Sequence, residues 1–300
     1  MKKIIYVLSV SLVATFFSCG GNGEEPADLL NDFAFADSLQ NQVTISEEII
    51  NELIHSIPSP IEMTSLIQSS GAEFDAQILN NTDNLDSYET AHQKAVNLGI
   101  YGADLGYLNI YEKTMLSVDY ISSVRSLAKD LKVEQFFDFQ TLKRLASSSK
   151  NIDSLINITT QGFSKMDAYL REQNRTKASV LIVTGTFIEG LFIATQISDK
   201  TKKPELVERI GEQKMSIDNL LLMLDVYKND SDVGDLANEI RGLKVLYDEV
   251  KIIITYGEPV SKEVNGMLVI EDNSTSEIVM SDELLNSITN KIKDIRSKII

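Results

Sequence analysis

One cysteine, Cys19, and no tryptophan occur among the 300 residues. A single thiol cannot form an internal disulfide, so packing alone must hold the fold together. Without Trp, the case for carbohydrate binding on broad aromatic platforms is weak. Only His55 and His92 are available as imidazoles, and no Ser–His–Asp or Cys–His nucleophile set can be assembled around them. Basic side chains are scarce too: 28 Lys and Arg stand against 44 Asp and Glu, a net charge of −16. A surface this acidic repels phosphate backbones and anionic headgroups, which argues against nucleic acid as a partner. The remainder is ordinary for a globular chain. With 43% hydrophobic and 24% charged residues there is material for a sizeable core.

The first residues carry an address. Lys2 and Lys3 form a positive start, and residues 4–17 form an apolar stretch too short for a comfortable permanent span. Phe16-Phe17-Ser18-Cys19-Gly20 follows and resembles a lipobox, in which a small residue precedes the cysteine that becomes the lipidated N-terminus. Residues 1–18 are therefore expected to be a lipoprotein signal peptide, with palmitate-type lipid on Cys19 as the membrane anchor. Gly20 stands where an Asp is associated with inner-membrane retention, so the resemblance implies the outer membrane, facing the periplasm or the exterior. Glu24 and Glu25 resemble the acidic export tags of surface-exposed lipoproteins. Residues 19–44, opening Gly20-Gly21-Asn22-Gly23, read as a flexible tether.

From residue 45 the pattern turns helical. Ser46 is suited to cap a helix whose apolar face is Ile49, Ile50, Leu53, Ile54 and Ile57, and Pro58-Ser59-Pro60 ends it. A second helix is expected to run to Gly71. Further helices are expected over 86–111, over 115–131 with Met115 in register, and over 139–146, 152–170, 205–227 and 233–256. Residues 178–197 are apolar nearly all round, with Glu189 their only charge. A buried central helix accounts for them better than a membrane span, because Thr184, Thr186, Gln196 and two glycines dilute the stretch. Asn265-Gly266 is a turn signal that predicts a small hairpin over 264–280. Ser281 then caps a terminal helix over 282–299. The fold class is all-α: a single multi-helix bundle, residues 45–300, with one small hairpin near its end.

Three constellations invite chemistry. Glu52-Leu53-Ile54-His55 and Glu89-Thr90-Ala91-His92 are each half of a ferritin-like di-iron motif. At about 100° per residue, however, Glu52, His55 and Glu89 fall away from the apolar faces, and both histidines read as surface residues, so no metal is assigned. Gly99, Gly102, Ala103 and Gly106 form a stripe of small residues along one helix face. Glycines in a helix cost roughly 1 kcal/mol each relative to Ala, which suggests a neighbouring backbone pressed close. The best partner is the central helix with Gly185, Gly190 and Ala194. Asn97, Tyr101 and Asp104, with Glu189, make a candidate buried polar cluster. Such carboxylates can serve acid–base chemistry, but hydrogen-bonded core groups explain them more simply. No catalytic residue and no cofactor is assigned.

The stretches Ile57-Pro58-Ser59-Pro60-Ile61-Glu62, Asn97-Leu98-Gly99-Ile100-Tyr101-Gly102-Ala103-Asp104-Leu105 and Gly185-Thr186-Phe187-Ile188-Glu189-Gly190-Leu191 resemble a family of uncharacterised lipoproteins of Bacteroidota. The resemblance covers most of the chain up to about residue 255. It implies a lipid-anchored, mainly helical envelope protein and supplies no activity. The expected role is a binding or structural module whose partner is an envelope protein or a small ligand. The alternative is an enzyme or a small-ligand or metal-binding protein built on Asp104 and Glu189.

Overall fold

The computed structural model describes residues 47–57, 64, 67–69, 71–147, 152–255, 257, 260–264, 267–271 and 275–300. The expectations for the leader, for Cys19, for the tether, for the Ser46 cap and for most of the helix ending at Gly71 lie outside these residues. Among the described residues the chain is an all-α bundle with a β-ribbon near its end. The helices are α1 (Glu47–Ser56), α2 (Ala91–Ile110), α3 (Thr114–Asp130), α4 (Phe139–Ala146), α5 (Ile152–Glu172), α6 (Thr176–Thr201), α7 (Pro204–Asp225), α8 (Ser231–Asp248) and, after the ribbon, α9 (Asp282–Ser297).

Local chemistry sets most boundaries. Helix α2 starts at Ala91, later than the expected 86, because Thr90 and Gln93 form a reciprocal capping box. Residues Thr82–Ser87 form a 3-10 turn instead, with Asn81 accepting from the Asp83 N–H. Asp138, Asp230 and Ser281 cap α4, α8 and α9 with their side-chain oxygens. Glu112, Lys132, Asn174 and Lys202 take positive φ where α2, α3, α5 and α6 end, so short left-handed turns separate consecutive helices without glycine. Met115 was expected on the inner face of α3 but is 84% exposed; Tyr120, Ile121, Val124 and Leu127 form that face.

Helix α6 is the centre, packed against α2, α5, α7 and α9. By length and composition it alone, among the described residues, could cross a membrane, yet 83% of its apolar window is buried in the bundle. Its closest neighbour is α2. A Cβ on Gly99 would lie 2.0 Å from the Ile182 carbonyl oxygen, and one on Gly185 would lie 1.9 Å from that of Val96. Only hydrogen fits at either place, so the two backbones touch. The Thr186 hydroxyl donates to the Gly99 carbonyl across the same contact. Five residues beyond Gly99, Asp104 lies beside Glu189, so the helices run parallel and α3, α4 and α5 make the return.

The rest of the glycine stripe behaves differently from expectation. One step of three residues turns the face by about 60°, and Gly102 meets the Phe163 ring of α5 instead of α6. Ala103 is buried. Gly190 has nothing within 4 Å of the Cβ position, so it takes no part in packing. The five residues separating it from Gly185 carry it about 140° round the helix.

The expected helix over 233–256 stops at Asp248, and residues 251–255 are a strand. Ile252, Ile253, Ile254 and Thr255 are β-branched, which favours the extended chain. Strand β1 (Lys251–Thr255) pairs antiparallel with β4 (Thr275–Val279), and β2 (Val260–Val264) pairs with β3 (Met267–Glu271). The strands thus form two separate two-stranded sheets, and pairing starts before the expected 264. Val264 pairs with Met267, and the expected Asn265-Gly266 turn itself lies outside the described residues. The ribbon base is seated on α7, where Ile278 lies over Gly211.

The contact at Gly185 separates the two kinds of glycine by experiment. Gly185→Ala should cost about 1–3 kcal/mol through overpacking, lowering Tm by roughly 2–12 °C for a domain of this size. Gly190→Ala should gain about 1 kcal/mol from helix propensity and raise Tm. Equal effects in thermal melts would refute the packing account.

Candidate functional site

The parallel pairing of α2 and α6 builds a buried polar centre. Asp104 and Glu189 are both 0% exposed. Arg296, from α9, reaches them: its Nε donates to Glu189 Oε2 at 2.6 Å and an Nη donates to Oε1 at 2.8 Å, a two-pronged ion pair. The same guanidinium donates to the Ile78 carbonyl at 3.1 Å and lies 4.2 Å from the Phe192 ring centre. Asp104 Oδ2 accepts the Asn80 N–H at 3.1 Å, while Oδ1 receives no hydrogen bond. Burial, and then the Glu189 charge within hydrogen-bonding reach, hold the Asp104 carboxyl well above the usual carboxylate range. The protonated form of Asp104 is therefore favoured beside the Glu189–Arg296 pair. The three side chains sum to zero charge, which is how they tolerate the interior.

Around them a ring of donors binds an irregular stretch of backbone. Tyr120 donates to the Asn80 carbonyl, Tyr101 to that of Asn81, and Tyr111 to that of Ala72. The Asp75 N–H donates to the Tyr107 hydroxyl. Residues 72–90 carry only short 3-10 turns, and their buried peptide groups need partners that helices would have supplied internally. The centre supplies them. Neither Asp104 nor Glu189 lines the groove against α5 or the one beside α8.

Of the four residues expected to cluster, the structure brings Asp104 and Glu189 together and places Tyr101 next to them. Asn97 is buried but is directed elsewhere, donating to the Ile299 carbonyl and to its own helix at Gln93. The sequence reading missed Arg296. Its signal was present: it stands four residues after Ile292, in register with the buried face of α9, and a lone cation on such a face calls for a buried carboxylate.

The metal motifs separate as their geometry required. Glu52, His55 and Glu89 are exposed. His92 is a correction, because it is half-buried; desolvation lowers its pKa, with Asp232 and Asp230 opposing. Ligand atoms of His92, Asp230 and Asp232 lie within 4.8 Å of one another. Asp230, though, already accepts from Lys177 at 2.9 Å and caps α8, so these groups are explained by an ion pair and a helix start.

The glycine stripe opens the second feature. Past the contact with α6, Gly102 and Gly106 floor a groove of about 390 Å³ bounded by α1, α2, α5 and α6. Ile54, Ile57, Phe163, Met166, Ile182 and Val183 give it apolar walls. Exposed His55, Thr160 and Ser164 lie at its mouth. Its lining charges, Asp167 and Arg171, are paired with each other at 2.8 Å, and Ser179 donates to the same carboxylate. No protein-family model, curated protein or solved structure matches the chain.

The polar centre makes two predictions. Glu189→Gln with Asp104→Asn leaves Arg296 buried without a counter-charge and should cost about 3–5 kcal/mol, whereas Glu189→Leu with Arg296→Met should recover much of that loss. Asp104 has a raised folded pKa, so above the unfolded value of 3.8 the folded state holds a proton that the unfolded state has lost. Stability from this group accordingly falls as pH rises, by about 1.4 kcal/mol per unit until Asp104 itself ionises. Asp104→Asn mimics the protonated acid. Denaturant titrations of the variant should lack that decline, and parallel curves for the two proteins would contradict the assignment.

Proposed function

We propose that the chain is a lipid-anchored envelope protein that works as a binding module, with the groove floored by Gly102 and Gly106 as its ligand site. The groove is the observation that supports this reading. A concave, solvent-open, largely apolar volume with a few hydroxyls on its walls is the usual form of a small-molecule site. The leader and Cys19 supply the cellular half of the reading: a soluble bundle held at the outer membrane on a flexible tether, in keeping with the resemblance to Bacteroidota lipoproteins. The alternative, acid–base catalysis by Asp104 and Glu189, has no support from their surroundings, since both are sealed and engaged by Arg296 and Asn80.

Each half has its own test. Cells expressing the chain should incorporate radiolabelled palmitate into it and carry it in the outer-membrane fraction, and Cys19→Ser should abolish both. For the groove, a neutral solvatochromic dye such as Nile red should bind the protein saturably at one site. Ala168→Phe, which fills the groove from its half-buried wall, should remove that binding without lowering Tm. Dye binding that ignores the substitution would place the site elsewhere.

A further inference from the structure

The shape and charge of the groove narrow what it would hold. Along α5 its lining runs from Ile156 to Arg171, about 22 Å at helical rise, so the groove is elongated. An elongated apolar cleft suits an aliphatic chain laid along it. The walls between the ends are apolar: Met166, Ile182 and Val183 line the groove with Gly106, and the Phe163 ring rests on Gly102. Among the described residues the two charges on the inner wall, Asp167 and Arg171, are spent on each other, and His55 stands exposed at the mouth. An ionised head would also enter a protein of net charge −16 against repulsion if it were anionic. Desolvating it unpaired would be costly whatever its sign.

One atom on the wall asks for a partner. Thr159 is 7% exposed, lines the groove, and its Oγ1 has no hydrogen-bond partner. Buried hydroxyls are normally satisfied, and a ligand oxygen at this position would do it.

We propose that the groove binds an uncharged single-chain amphiphile, its aliphatic chain lying along α5 past Gly106 and its carbonyl or hydroxyl oxygen accepting from Thr159. This rests on the groove being a ligand site, as argued above, and adds the class of ligand. The chemistry is shared by a free monoacylglycerol or long-chain alcohol and by the acyl end of a larger neutral lipid.

The test uses the chain from Pro26 onward, which retains every core residue from Ile50 to Ile295. Monododecanoylglycerol, dodecanol, dodecanoate and a neutral lysophospholipid, each below its micellar concentration, are titrated by calorimetry. Nile red and a rigid sterol serve as comparison ligands. Monododecanoylglycerol should bind one to one and at least about tenfold tighter than dodecanoate. Thr159→Val should weaken it by about tenfold, with dodecane-like dye binding unchanged. Ala168→Phe should abolish it at unchanged Tm. Whether dodecanol or the lysophospholipid binds as well tells the free form from the lipid-borne one. Saturable binding of Nile red or the sterol without any single-chain ligand would overturn the ligand class while leaving the groove as a site. Tighter binding of dodecanoate would overturn the uncharged head. Failure of every ligand, dye included, would overturn both readings.

Discussion

The place where α2 and α6 touch, backbone to backbone at Gly99 and Gly185, determines most of what else the molecule is. Two parallel helices this close bring Asp104 to Glu189 within hydrogen-bonding reach, where one carboxyl must keep its proton and the other must find a cation. Arg296 is that cation, so the terminal helix is tied to the centre of the fold by the ion pair as well as by Leu285, Ile288, Ile292 and Ile295. On the other flank of the same contact the stripe of small residues turns away from α6, and the space it leaves becomes the groove. A sealed polar centre and an open apolar cleft are two consequences of one close approach.

The polar centre also explains how an irregular stretch can lie inside a helical protein. Residues 72–90 cannot satisfy their own peptide groups, and tyrosines from α2 and α3, with Arg296 and Asp104, do it for them. The buried carboxylates thereby have a structural task large enough to account for them.

Much of this was legible in the residues. The period of apolar positions gave α4 and α9 nearly to the residue, and the single charge in a long apolar run marked α6 as the core helix. Three glycines in one helix announced a close contact, because nothing else repays their cost. Other parts were hidden. Side-chain pairing across α2, α6 and α9 depends on how three distant segments cross, and neither spacing nor propensity carries that. Gly190 was misread because its proximity in sequence to Gly185 concealed an offset of about 140° around the helix. Strand β1 was lost to a helical reading because Ile252, Ile253 and Ile254 follow α8 after only a short break, and an apolar run of that length suits either state. The groove could not be seen at all, since it is an absence between elements.

The account stands on the claim that one helix contact leaves a sealed centre on one side and an empty, accessible apolar cleft on the other. Xenon under pressure reports such clefts directly, because it enters apolar space and avoids charged, hydrogen-bonded interiors. A crystal of the soluble chain under xenon should show density between Gly106, Met166 and Ile182, and none beside Asp104, Glu189 and Arg296. Density at the carboxylates, or a groove that admits no gas, would contradict the account.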